Sequence, residues 1–227
     1  MDNKKLPFQI PIFPLTGAIL LPKGHLPLNI FEPRYKKMIE MAHDGHGVIG
    51  MVQPQNSNIS NSTFKNDLFG TAPRGRNLYG VGCVGLITEM EKTDEDQYFV
   101  VLTGLKRFSI VEELPMKNLF REVTVSYNDF SGDGDEAFSA STQNRARFLD
   151  TLNKYLTRLK INIDVKSLDQ VEDEELINSM AMICPFDAAE KQLLLEISTL
   201  SDRAELMIKI MNFNLTKHDI ILEPNIH

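Results

Sequence analysis

Residues 12–35, IFPLTGAILLPKGHLPLNIFEPRY, constrain the fold of this chain more than any other segment. Two short apolar runs, residues 18–21 and 26–31, flank Pro22-Lys23-Gly24, and this pattern predicts two strands joined by a turn. Pro33 favours a helix start, because proline at the first helical position loses no hydrogen bond that the helix would form. The segment therefore predicts strand, turn, strand and helix, and it contains no obvious catalytic group.

Strand patterns dominate from residue 8 to about residue 127. One amphipathic helix, predicted over residues 33–43, interrupts them with apolar residues at helical spacing. Further strands are predicted over residues 48–52, 79–90, 97–102, 108–111 and 122–127. Short strands broken by glycines at this density are typical of a closed or nearly closed barrel.

The pattern changes after Asn128. Residues 129–142, DFSGDGDEAFSAST, have the composition of a linker, and helical periodicity follows over residues 143–160, 173–184 and 188–197 and from about Thr199 or Ser201 onward. Asp187 and Glu190 have the spacing of a capping box. We therefore expect an α+β fold, with a β-barrel subdomain over residues 1–130 and a helical bundle over residues 141–220.

The composition is that of an ordinary globular protein, and its charge argues mildly against nucleic acid and anionic membrane surfaces as partners. Hydrophobic residues make up 42% of the 227 residues, and a formal net charge of −7 disfavours contact with phosphates or anionic lipid. Prolines interrupt the first fifteen residues, and no run approaches the ~20 apolar residues of a membrane span. Cys83 and Cys184 are isolated, which favours reduced thiols in a cytoplasmic protein over a disulfide.

Motifs for catalysis, cofactors or metals do not fit. Glycines at residues 45–50 and 80–85 have dinucleotide-binding spacing, but neither stretch lies between a strand and a following helix. His43 and His46 flank a glycine and are expected to be exposed turn residues. The acidic residues of the linker are predicted to be solvated rather than to bind calcium; they are Asp129, Asp133, Asp135 and Glu136. No catalytic residue, metal site or cofactor is predicted.

Two arginine features leave binding alternatives open. Arg74 and Arg76 form the strongest local basic cluster, after a polar loop over residues 53–76, and they are the candidate contacts of an RNA- or nucleotide-binding protein. Arg34 lies between a predicted strand end and a helix start. Its guanidinium is expected to bond neighbouring loop carbonyls, with ligand contact as the alternative.

The chain resembles the N-terminal substrate-binding domain of the Lon protease family, in the form of small stand-alone bacterial proteins. The resemblance is carried by residues 13–35, by YGVGCVGLI at 79–87, by LTGLKRFSI at 102–110, and by PFDAAEKQLLLE at 185–196 followed by DRAELM. It implies a PUA-like β pseudo-barrel followed by a helical subdomain. The ATPase and protease modules of the full-length enzyme have no counterpart here, so neither activity is expected.

The resemblance implies a non-enzymatic module that binds unfolded or tagged polypeptides, with a protease or chaperone as a candidate partner. The candidate peptide-binding residues lie in the opening segment and the polar loop; they are Leu15, Leu28, Phe31, Arg34, Tyr35 and Phe69. RNA or nucleotide binding by a PUA-like barrel is the alternative function, although fold analogy alone is a weak argument for it.

Overall fold

The computed structural model describes residues 6–55, 78–133, 142–161, 168 and 170–222. The strands are β1 (Gln9–Pro14), β2 (His25–Ile30), β3 (Val48–Val52), β4 (Val81–Lys92), β5 (Tyr98–Glu113) and β6 (Arg121–Ser126). The helices are α1 (Pro33–Asp44), α2 (Thr142–Arg158), α3 (Asp173–Ile183), α4 (Ala188–Glu196) and α5 (Leu200–Leu222). The predicted α+β class, with helices following a mainly β part, is confirmed.

The six described strands form one sheet in the order β2-β5-β4-β3-β1-β6. Because β6 also pairs with β5, the strands β1, β3, β4, β5 and β6 close into a ring, while β2 lies on the first half of β5 outside that ring. Only the β1–β3 pair is parallel among these pairings. The predicted pseudo-barrel is therefore confirmed, with β2 as an added edge strand.

Helix α1 closes one side of the barrel. Pro33 stands in its first turn, and its apolar residues Tyr35, Met38, Ile39 and Ala42 are buried. The helix packs against β1 and β3. Gly47 has a φ of 73°, in the left-handed region that favours glycine, and turns the chain directly into β3.

Residues 18–21 do not form the predicted strand. Ile19, Leu20 and Leu21 are buried but lie in an irregular segment that crosses the barrel towards the helices. Lys23 N–H donates to the Gly104 carbonyl (2.9 Å), and Gly104 N–H donates to the Gly24 carbonyl (2.8 Å). Glycine at position 104 permits this close approach, because a Cβ there would overlap the Leu21 carbonyl. Apolar content correctly predicted burial here, but not strand pairing.

Strand β5 is continuous where two strands were predicted. It bends at register shifts instead of breaking, between Val84 and Gly85 on β4 and between Ile110 and Glu112 on β5. Gly82 and Gly85 pack closely against neighbouring side chains inside the barrel. The interpretation of the glycine-rich strand as a bent strand, not a nucleotide loop, is confirmed.

The four C-terminal helices pack onto the barrel through a shared core. One cluster of buried residues contains Phe13, Leu20 and Leu102 from the barrel together with Phe148 and Met211 from the helices. A second cluster, built around Phe108 and residues of β1 and β6, fills the barrel interior. The Asp187–Glu190 capping box at the start of α4 is confirmed. The division at residues 1–130 and 141–220 stays a prediction.

Candidate functional site

The predicted peptide-binding residues differ widely in exposure. Phe31 is 63% exposed, whereas Tyr35 is 8% exposed and packs edge-on against Phe13, with 4.4 Å between ring centroids. Leu28 is buried and Leu15 is half-buried against the core. Among the predicted residues that lie in the described ranges, Phe31 is the one with a large exposed apolar side chain.

Arg34 connects the exposed and buried parts of this region. Its guanidinium stacks on the Tyr35 ring, 4.6 Å from the centroid, and its Nε donates to the Glu32 carboxylate at 3.0 Å. Burial raises the pKa of Tyr35, while the positive charges of Arg34 and Arg121 oppose that effect. The phenol is therefore neutral at physiological pH, and the Arg34 guanidinium packs on its ring.

The β5–β6 loop carries further exposed apolar side chains, and the strand that follows it begins near Tyr35. Arg121 acts electrostatically on Tyr35, and Phe120 belongs to the same buried cluster as Tyr35. Met116 and Leu119, in the loop that precedes them, are exposed. We call Phe31, Met116 and Leu119 the Phe31 rim.

Two ion pairs flank residues of the Phe31 rim. Arg121 donates to both carboxylate oxygens of Glu113 at 2.7 Å, and Arg34 pairs with Glu32 at 2.9 Å. Lys117, between Met116 and Leu119 in sequence, is also exposed. The rim thus combines apolar side chains with a polar border.

A buried polar junction joins the barrel to the helices, and sequence reasoning missed it. It consists of Gln53, Arg107, Asp133, Asn178, Gln192 and Arg203. Arg107, which is 3% exposed, pairs with the Asp133 carboxylate and donates to the carbonyls of Leu195, Ile197 and Ser198 at the C-terminal end of α4. Its guanidinium also lies over the Phe130 ring at 4.3 Å.

Arg203 also binds the C-terminal end of α4. It donates to the Leu194 carbonyl at 2.8 Å and to Asn178 Oδ1 at 2.7 Å, and Asn178 Nδ2 in turn donates to the Pro22 carbonyl at 2.9 Å. Burial, with Arg107 nearby, lowers the pKa of Arg203. Two arginines therefore hold the helix C-terminus, where carbonyl groups lack helical partners and the dipole favours cations.

Two glutamines complete the junction. Gln53 accepts from the Gly17 N–H at 2.9 Å and donates to the Ala188 carbonyl at 3.0 Å and to Gln192 Oε1 at 3.2 Å. Gln192 donates to the Val81 carbonyl at 3.2 Å. Their amides thus bond the opening segment, β4 and α4 to one another.

The structure corrects the prediction that Asp133 is a solvated linker residue. Its side chain is buried against Arg107, because the chain turns back along β5 through a short 3-10 helix (Asn128–Phe130). Local composition predicted a linker, and the partner is far away in sequence. The LTGLKRFSI segment contained Arg107, but a lone arginine in a strand gives no local indication of its partner.

Other predicted residues have simpler outcomes. His43 and His46 are exposed, as predicted, and within the described ranges no three metal-ligating side chains cluster. Cys83 and Cys184 are free and buried, and burial raises the pKa of Cys184 to about 12. Phe69, Arg74 and Arg76 lie outside the described residues. None of the helices in the described part has the length and apolar composition that a bilayer crossing requires.

Known proteins share both the sequence pattern and the fold. The Lon protease of Flavobacterium johnsoniae is 27% identical over 97% of this chain, and that of Anaeromyxobacter dehalogenans is 24% identical over 93%. The chain spans about a quarter of the length of these relatives, 26% and 24% respectively.

Solved structures agree on the fold. The N-terminal domain of a Mycobacterium avium complex Lon protease superposes with a TM-score of 0.62 at 15% identity, covering 90% of this chain and 98% of that domain. A Lon N-terminal domain protein from Xanthomonas campestris gives 0.59 at 16% identity, covering 88% and 97%. A sequence model of the ATP-dependent protease La (LON) substrate-binding domain matches residues 9–212. The chain belongs to the Lon substrate-binding domain family.

Proposed function

We propose that this protein binds extended apolar segments of other polypeptides at the Phe31 rim, without catalysing a reaction itself. The observation that carries the proposal is Phe31, a large aromatic side chain that is 63% exposed at the outward position of the alternation set by β2. Membership in a substrate-binding domain family of a protease supports polypeptide as the ligand class.

The rim has the chemistry that such binding requires. Aromatic side chains contribute large apolar areas to interfaces and are frequent hot spots, and methionine adapts to varied partners. Tyr35, four residues after Phe31, packs against Phe13 in the core, so the segment that carries Phe31 is anchored before a ligand arrives. The paired charges beside the rim supply a polar border.

The physiological ligands that fit this proposal are unfolded or tagged polypeptides. A protease or a chaperone that acts on the same polypeptides is the expected partner. The two free, buried cysteines favour the cytoplasm as its place of action, since thiols stay reduced there.

A peptide-binding titration tests the proposal. The probe is a fluorescent peptide of alternating threonine and valine with a lysine at each end, and fluorescence anisotropy measures its affinity. We expect Phe31→Ser to weaken binding about 10- to 30-fold, as for loss of an interface hot spot.

Phe213→Ser is the matched control, because Phe213 is 65% exposed on α5 and has the same side chain. The control should bind like the parent protein. Equal losses in both variants indicate non-specific hydrophobic contact, and either that result or the absence of peptide binding rejects the proposal.

A further inference from the structure

We infer that the open edge of β2 binds the polypeptide by strand addition, so that the ligand becomes a further strand of the sheet beside Phe31. The inference rests on the proposed function and deepens it. It assigns the main contacts to backbone groups of His25, Pro27 and Asn29, and it names the ligand as an extended segment without proline.

The alternation of hydrogen bonds along β5 determines which backbone N–H and C=O groups of β2 point away from the sheet. Gly104 N–H donates to Gly24 C=O at 2.8 Å, and Thr93 N–H donates to Gln97 C=O at 2.8 Å across the β4–β5 hairpin. Bonds alternate along an antiparallel pair. The backbone groups of Leu26, Leu28 and Ile30 therefore point to β5, and those of His25, Pro27 and Asn29 point away from it.

This outward edge is accessible. In the sheet that the described residues form, β2 is a terminal strand with β5 as its single neighbour. The side chains of His25, Pro27 and Asn29 are exposed, and the same alternation continues to Phe31 just beyond the strand. A strand added to β2 would thus reach Phe31 in the same register.

Pro27 sets the limits of the edge. It lacks an N–H group, so the edge offers donors at His25 and Asn29 and carbonyl acceptors at all three positions. Antiparallel pairing with a second copy of β2, centred on Pro27, would place two prolines opposite each other. A foreign strand keeps the bond to the Pro27 carbonyl that such a dimer loses, which favours another polypeptide as the occupant.

The outer face of the sheet indicates which side chains the added strand carries. His25, Pro27 and Asn29 are opposite Thr103, Val101 and Phe99 of β5, and none of these six residues is acidic or permanently charged. Side chains that point to this face therefore meet apolar or neutral neighbours. Valine, threonine and similar residues at alternate positions fit it, and lysines at the ends suit a chain with net charge −7.

Backbone N-methylation of the probe peptide separates strand addition from a side-chain contact. Methyl groups on alternate residues block only the N–H groups of one edge of the peptide. We expect one set of alternate N-methyl groups to weaken binding more than 10-fold and the other set to change it less than threefold. Equal effects of the two sets overturn the inference.

Asn29→Pro tests the protein side of the same bonds. This change removes the N–H of Asn29, one of the two outward donors of β2, and we expect more than a 10-fold loss of affinity. Asn29→Ala, which removes the side chain but keeps the N–H, should bind within twofold of the parent. Unchanged binding by a folded Asn29→Pro protein overturns the inference, and the N-methyl result decides if that variant does not fold.

The outcomes distinguish the inference from the proposed function. Binding that is lost in Phe31→Ser but insensitive to the backbone changes leaves the Phe31 rim as the site and rejects strand addition. A peptide-free dimer that Asn29→Pro dissociates, measured by analytical ultracentrifugation, shows that a second copy occupies the edge and also rejects it. No peptide binding at all rejects both.

Discussion

The buried junction and the Phe31 rim invert the usual distribution of residue types. At the junction, Arg107, Arg203 and Asp133 lie inside the protein, whereas at the rim Phe31 and Leu119 lie outside it. Charged groups are seldom buried without partners, and large apolar side chains in a cluster on the surface usually mark a binding site. The two exceptions have different causes.

At the junction, each guanidinium group meets several fixed acceptors, so the burial is explained by folding alone. Carbonyls at the C-terminal end of α4, the Asp133 carboxylate and Asn178 surround the two guanidinium groups. At the rim, the alternation of β2 turns Phe31 outward, and a large aromatic side chain stays 63% exposed. The junction is therefore expected to determine stability, and the rim is available for binding.

Replacing Arg107 should cause the largest loss of stability. Arg107→Met leaves the Asp133 carboxylate and several carbonyls buried without their donor, and breaking such a pair costs about 3–5 kcal/mol of unfolding free energy. Urea denaturation measures the loss. Lys106→Met is the control, because Lys106 is the adjacent residue and its ammonium group donates to the Ser131 carbonyl at an exposed position.

The same experiment tests whether barrel and helices unfold together. A single transition is expected in the parent protein, because the junction and the shared core connect residues 1–130 with residues 141–220. A loss below about 1 kcal/mol in Arg107→Met, within the range of a surface change, contradicts the role given to the junction.

Alkaline pH should destabilise the protein through its two buried cysteines. Burial raises the pKa of Cys184 to about 12 and that of Cys83 further, whereas unfolded thiols titrate near pH 8.5. Above pH 8.5 the unfolded state releases protons that the folded state retains, so stability falls by up to about 1.4 kcal/mol per pH unit for each thiol.

Urea denaturation between pH 7 and 10 measures this slope. Cys184→Ala should reduce it by about one thiol's share, whatever its effect on stability at pH 7. Below pH 8 the cysteines should contribute no pH dependence, because both states are then protonated. An unchanged slope in Cys184→Ala would show that other groups cause the alkaline loss.

Sequence reasoning succeeded where local pattern and tertiary environment agree. Residues 48–52 form the predicted strand, α1 begins at Pro33, and the capping box of Asp187 and Glu190 starts α4. The signals for these elements lie within a few residues of one another. Recognition of the family rested on longer segments of this kind.

The errors arise where a distant partner determines the local structure. Residues 18–21 are apolar like a strand, but they take an irregular path because Gly104 admits the Leu21 carbonyl and Asn178 binds the Pro22 carbonyl. Asp133 has linker neighbours and a buried partner in β5. At the candidate site, sequence reasoning weighted Phe31, Tyr35 and Leu28 equally, because exposure depends on packing that periodicity does not describe.

Asn178 allows a smaller change on the junction side of the comparison. Asn178→Leu removes the acceptor of Arg203 and the donor of the Pro22 carbonyl while keeping a similar volume. Unsatisfied buried groups of this kind cost about 1–3 kcal/mol. Urea denaturation checks the value, with the neighbouring half-buried Ser179→Ala as control, and a loss equal to that of Ser179→Ala would show that the two bonds contribute little.

Phe31→Ser should have the smallest effect on stability, within about 0.5 kcal/mol of the parent, because an exposed side chain contributes few packing contacts. The same variant is expected to lose most of its peptide affinity. Arg107→Met should show the opposite pattern, with a larger effect on stability than on peptide affinity. Denaturation and peptide titration of both variants measure the four values. A stability loss of several kcal/mol in Phe31→Ser would instead mean that Phe31 secures the barrel to α1. Its side chain would then contribute to packing in the free protein and would not be an exposed contact for a ligand.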